Sequence, residues 1–118
     1  MIFEDFNGLS CTTKSYQFDN IDTTEKALDW LCDVTQINGF VAHGIFLADT
    51  SLGSPLGRDG ATLPPNAPLW LILKEAKRTK ADLVFLQGEF HNRDVLIGAD
   101  LTDFTISFTV FHNDADCI

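Results

Sequence analysis

Phe104-Thr105-Ile106-Ser107-Phe108-Thr109-Val110-Phe111 is the stretch that decides the fold class. Successive side chains of a strand point to opposite faces. Phe104, Ile106, Phe108 and Val110 therefore share one face, and Thr105, Ser107 and Thr109 share the other. Apolar on one side and hydroxyl-lined on the other is the pattern of an antiparallel strand with one wet face.

Working upstream, Leu83–Phe90 and Val95–Ala99 also read as strands. His91-Asn92-Arg93-Asp94 between them is turn-like and makes the pair a hairpin. Before them, Asn66-Ala67-Pro68 opens a helix that runs to about Thr79, with Asn as cap and proline in the first turn. Its first half, Leu69-Trp70-Leu71-Ile72-Leu73, is apolar all round and is expected to be well buried. Its second half holds Lys74, Lys77, Arg78 and Lys80 near the negative end of the helix dipole.

Phe40–Asp49 is apolar on both alternating sets, so it is expected as a central strand covered on both faces or nearly so. His43 within it is expected to be a hydrogen-bonded core residue. A helix is expected from Thr23 to Thr35, opened by the capping pattern Asp22-Thr23-Thr24-Glu25 with Asp22 as cap and stopped by Asn38-Gly39. Ala27, Leu28, Trp30, Leu31 and Val34 fall on one side of that helix, and Asp22, Glu25, Asp29 and Asp33 on the other. At the start of the chain, Asn7-Gly8 suggests a hairpin between Ile2–Phe6 and Leu9–Thr13, with Ser15–Phe18 as a further short strand.

Together these elements predict an α+β fold, with a mostly antiparallel sheet of about four to six strands and two helices packed on one face. Residues 1–118 are expected to form a single domain. A 45% apolar content is enough for a core without a metal or a disulfide framework. Ten phenylalanines exceed the usual share for this length and suit either a core or an interface.

Three cysteines, Cys11, Cys32 and Cys117, are odd in number and lack a CxxC spacing, which points to a reducing, cytoplasmic compartment. The first residues have no basic run ahead of an apolar one, so no signal peptide is expected. The longest apolar stretch, Phe40–Ala48, is far short of a membrane span.

The net charge is −9, which opposes nucleic-acid phosphates and anionic lipid. It is unevenly spread: residues 1–33 carry −5, residues 34–80 carry +2, and residues 81–118 carry −6. Glu25, Asp29 and Asp33 are successive i, i+4 like-charge pairs, each costing an isolated helix roughly 0.2–0.5 kcal/mol. A face that accepts this cost suits a basic surface, either a partner's or the chain's own Lys74–Lys80 segment.

Thr50–Asn66 is an irregular stretch with glycines and prolines and no regular period. Connectors of that length are often functional. Gly53–Gly60 lacks a GKS or GKT ending and GxGxxG spacing, so a nucleotide loop is excluded. Leu52, Leu56 and Leu63, together with Arg58 and Asp59, are candidates to anchor a partner or to pack back on the core. Nothing brings Cys11 or Cys117 to His43, His91 or His112 as a nucleophile–base pair. The tail His112–Cys117 lacks calcium-loop or zinc spacing. No catalytic, cofactor or metal residue is assigned.

The expectation is a small acidic inhibitor or immunity-type protein, not an enzyme. It would block a basic partner protein, such as a nucleic-acid-cleaving enzyme, by electrostatic steering and steric occlusion. The contact residues would be Asp22, Glu25, Asp29, Asp33, Leu52, Leu56, Arg58 and Asp59. The alternatives are a homo-oligomeric assembly subunit, or a small enzyme or ligand-binding domain with a pocket under the 50–66 loop.

Overall fold

The computed structural model describes residues 10–50 and 61–112. The element order is β1 (Ser10–Tyr16), α1 (Thr24–Val34), β2 (Phe40–Ala48), β3 (Ala61–Leu63), α2 (Leu69–Thr79), β4 (Leu83–Phe90), β5 (Arg93–Asp100) and β6 (Ile106–His112). The strands form one six-stranded antiparallel sheet in the order β1-β6-β5-β4-β2-β3. The expected α+β class, antiparallel sheet and two-helix layer are all present.

Register explains where the core lies. Ile106 faces Ala99, Ala99 faces Val84, and Val84 faces Leu47. Directly opposed residues share a face, so these four line one side of the sheet. All are buried there beneath Leu28 and Leu31 of α1 and Ile72 of α2. Among the described residues the opposite side carries no helix. Thr13, Ser15, Ser107 and Thr109 form cross-strand hydroxyl pairs on it, Thr13 with Thr109 and Ser15 with Ser107, each at 3.0 Å. The alternation in the last strand thus sorts the two faces as expected, although the strand begins at Ile106. Phe104 precedes it in a left-handed turn, with φ 60 and its amide donating to the Asp100 carbonyl at 2.9 Å.

Several local details differ from the expectation. Helix α1 is capped by Thr23, not Asp22: the Thr23 hydroxyl accepts from the Lys26 amide at 3.2 Å. Asp22 instead accepts from the Lys26 ammonium at 2.8 Å. The turn between β4 and β5 narrows to His91-Asn92, both at positive φ (51 and 66). Two such residues are what a right-twisted hairpin needs. Part of the 50–66 stretch is a strand, because Leu63 pairs with Ile45 and is buried. Of the expected Ser15–Phe18 strand only Ser15 and Tyr16 belong to a strand, as the end of the longer β1. The Asn7-Gly8 hairpin falls outside the described residues.

Two burial expectations are corrected. In β2 only the second half is buried, since the helix layer covers one face and the register shifts between Ala42 and Gly44. That bulge turns His43 outward, where it stands 3.5 Å from the Glu89 carboxylate, with both side chains more than 40% exposed. The start of α2 is not well buried either. Leu69, Leu71 and Leu73 are half-buried, and Trp70 is 65% exposed. The helix rests on β2, β3 and α1 along one side only, and nothing among the described residues covers the other.

Candidate functional site

Helix and strand lengths leave part of the sheet bare on the helix side. The eleven residues of α1 reach about 16 Å. The eight residues of β4 reach about 26 Å. The chain leaves α1 at Val34 and turns through Gly39, whose φ of +91 suits glycine. It then drops into β2 at Phe40.

Beyond the end of the helix lies an apolar groove of about 290 Å³. Trp30, Val34 and Ile37 form one wall, and Phe40, Phe90 and Phe108 contribute to the other side and floor. Phe40 opposes Phe90, and Val95 opposes Val110, so their side chains reach the same face. Ile37 is 50% exposed and Phe90 39% exposed at the groove mouth. The Trp30 wall is held by ring contacts: Trp30 lies 5.7 Å from Phe108 and 6.0 Å from Phe18. On the far side of Phe108 a second trough runs past Lys14, Tyr16 and Phe18 on the β1 edge of the sheet.

The four acidic residues on and before α1 divide. Asp22 is engaged by Lys26, whose hydrogen bond and charge hold its carboxyl below the ordinary value. Glu25 lines a shallow trough between the helices together with Lys77, without closing an ion pair. Asp29 and Asp33 are exposed on the outer side of α1, Asp33 one turn from Trp30. No ion pair among the described residues joins α1 to Lys74, Lys77 or Lys80, while Arg78 is taken by Glu75 at 2.5 Å. Leu52, Leu56, Arg58 and Asp59 lie outside the described residues. Of the residues singled out in the sequence, Asp29 and Asp33 share a helix with Trp30 and Val34, which wall the apolar groove.

Trp30, Ile37, Phe40, Phe90 and Phe108 were not singled out as site residues. Their local patterns place them toward the core, and only the mismatch between helix length and strand length uncovers them. The lengths themselves were legible; which end of the sheet stays bare was not.

The Cys32 thiol is pushed up by burial and by the carboxylates of Asp29 and Asp33, which disfavours the nucleophilic thiolate. Asp100 and Asp103 are spent on turn hydrogen bonds, Asp100 to the Thr102 amide at 2.8 Å and Asp103 to the Thr105 amide at 2.9 Å. The open sheet face holds a trough of about 410 Å³ over Phe85, Leu96 and the hydroxyl rows. Among the described residues no group of three ligating side chains could hold a metal ion, and no helix is long and apolar enough to cross a membrane.

The fold and groove define a class: an α+β protein of one sheet and one helix layer, with an apolar cleft past the end of α1. No family model, curated protein or solved structure matches the chain.

Proposed function

We propose that this chain is a cytoplasmic protein-binding inhibitor of the immunity type, which holds a basic partner in the groove beside α1. The observation that carries the reading is the placement of Asp29 and Asp33 on the same helix as Trp30 and Val34, which wall an apolar cleft. Carboxylates on the exposed side of α1 attract a basic surface from a distance and raise the rate of encounter. The cleft then takes an apolar side chain of the partner, where aromatic anchors supply most of the affinity. Inhibition follows from occlusion: a basic enzyme or nucleic-acid-binding protein seated on α1 has its own anion-binding surface covered.

The test begins with the partner recovered with the full chain from its native host. Asp29→Ser with Asp33→Ser is expected to slow association about tenfold and flatten its salt dependence. Ile37→Asp is expected to speed dissociation, because it sets a charge at the apolar mouth. A stable partner whose binding rates are unchanged by both variants would overturn the proposal.

A further inference from the structure

Helix α2 turns one aromatic residue and two bases to solvent along a single line. Trp70, Lys74 and Lys77 are spaced i, i+4, i+7, which stacks them on one side of a helix. Ile72 and Ala76 occupy the buried side. Trp70 is the most exposed large apolar residue among those described. Lys74 and Lys77 are exposed and belong to no ion pair among the described residues. The helix dipole accounts for cations near the C-terminal end. It does not account for an indole held in water in the same row.

We propose that this row docks into the groove of a second copy of the same chain. The Trp70 indole of one copy enters the apolar cleft between Ile37 and Phe90 of the next, and Lys74 and Lys77 meet Asp29 and Asp33 on the exposed side of its α1. The surfaces match in three respects. The cleft, at about 290 Å³, has room for one bicyclic side chain and is lined by apolar residues. An indole brings roughly 150–250 Å² of surface to bury there. The two lysines and the two aspartates are each about one helical turn apart, so both pairs can be satisfied together.

Knob and groove are different surfaces of each copy. A single contact leaves a groove free on one copy and a knob free on the other, so association either closes by reciprocal docking into a two-fold dimer or propagates as a ring or an open chain. Repulsion between two copies of net charge −9 opposes it. That repulsion is screened beyond about 8 Å at physiological ionic strength, whereas the lysine–aspartate pairs act at contact. This inference rests on the groove being a docking site, as in the function proposed above, but not on the identity of the host partner.

The test is sedimentation of the full chain over a concentration series. The mean mass should rise above that of one chain for the wild type and stay at one chain for Trp70→Ala. Asp29→Lys with Asp33→Lys, and Lys74→Asp with Lys77→Asp, should each remain single chains alone. Mixed in equal amounts they should associate again, because each restores the opposite charge to the other. A wild type that stays single at every concentration overturns the inference, as does association that survives Trp70→Ala or a mixture that fails to reassociate. Ile37→Asp separates the two readings. If self-association is absent but a host partner is still lost with Ile37→Asp, only the self-docking falls. If Ile37→Asp disturbs neither self-association nor partner binding, the groove itself is not a docking site.

Discussion

The Trp30 indole meets the Phe108 ring edge-on, with centroids 5.7 Å apart and planes at 84°. Edge-to-face rings of this kind add about 0.5–1.5 kcal/mol to the burial of the rings themselves. The contact ties α1 to β6 and fixes the wall of the groove. Phe108 also packs edge-on to Tyr16, so one ring joins helix, central sheet and edge strand.

Phe108→Ala is therefore expected to lower stability by about 2–3 kcal/mol, at or below the range for losing a fully buried aromatic ring, because Phe108 is partly buried. Trp70→Ala removes a larger side chain but one standing in water, so its effect should stay within about 0.5 kcal/mol. Urea unfolding of dilute samples compares the two. Equal losses would mean that Trp70 is packed in solution.

Thr109 is 3% exposed and shares a hydroxyl hydrogen bond with Thr13. Thr109→Val keeps the shape and removes the hydroxyl, and should cost about 1 kcal/mol. Ser107→Ala breaks the similar but exposed pair with Ser15 and should cost clearly less, since water replaces the lost partner. Chemical unfolding midpoints of the two variants decide the order.

Asp82 fastens three strands. Its amide donates to the Ala48 carbonyl at 3.0 Å, its carbonyl accepts from the Leu101 amide at 2.8 Å, and its carboxylate accepts from the Thr50 hydroxyl and amide. The Thr50 hydroxyl is the main reason that the Asp82 carboxyl lies below its ordinary value of 3.8; burial opposes it, and the Thr50 amide adds a smaller push downward. A carboxyl with a lowered folded pKa stabilises the fold fully above its unfolded value. That contribution is lost as pH falls through the folded one. Stability should therefore decline on acidification below about pH 4. Asp82→Ala should lower neutral-pH stability and make the acid limb shallower. Asp22 and Asp103 are shifted in the same direction, by Lys26 and by Thr105, so part of the limb persists. An unchanged limb in Asp82→Ala would sink this assignment.

Gly88 sits opposite Ala42 beside the bulge in β2. A Cβ there would lie 2.5 Å from the Val41 carbonyl oxygen and 2.8 Å from the Phe40 ring. Gly88→Ala must move backbone, and is expected to cost roughly 1–3 kcal/mol and to disturb Phe40 in the groove. Gly44→Ala, whose nearest contact would be 3.5 Å, should be nearly neutral. Thermal melts of both variants measure the difference, and a tolerated Gly88→Ala would show that β2 has slack at its bulge.

The parts legible in the sequence were those with a local cause. The period of Ile106–Val110 reads directly as a two-faced strand, and the apolar arc of Ala27, Leu28, Leu31 and Val34 as a helix on a core. The narrow turn at His91-Asn92 was visible as a turn, though wider than the one formed. Trp70 was misplaced because an apolar run around a helix predicts burial on every side, and this helix has neighbours along one side only. His43 was misplaced because no local pattern announces the shift between Ala42 and Gly44. The α1 cap moved by one residue because Lys26 draws the Asp22 carboxylate away and Thr23 can cap in its place.

The sequence by itself determined the α+β class, the identity of the two sheet faces and the charge on the outer side of α1. These follow from repeats of 2.0 and 3.6 residues and from side-chain charge, which need no knowledge of distant contacts. Only the tertiary structure decided that Trp30, Ile37 and Phe90 border a cleft, that Trp70 stands in water, and that Lys74 and Lys77 do not neutralise Asp29 and Asp33. Each depends on how far one element extends over another. A short helix laid on longer strands uncovers the residues past its end, whatever their local pattern.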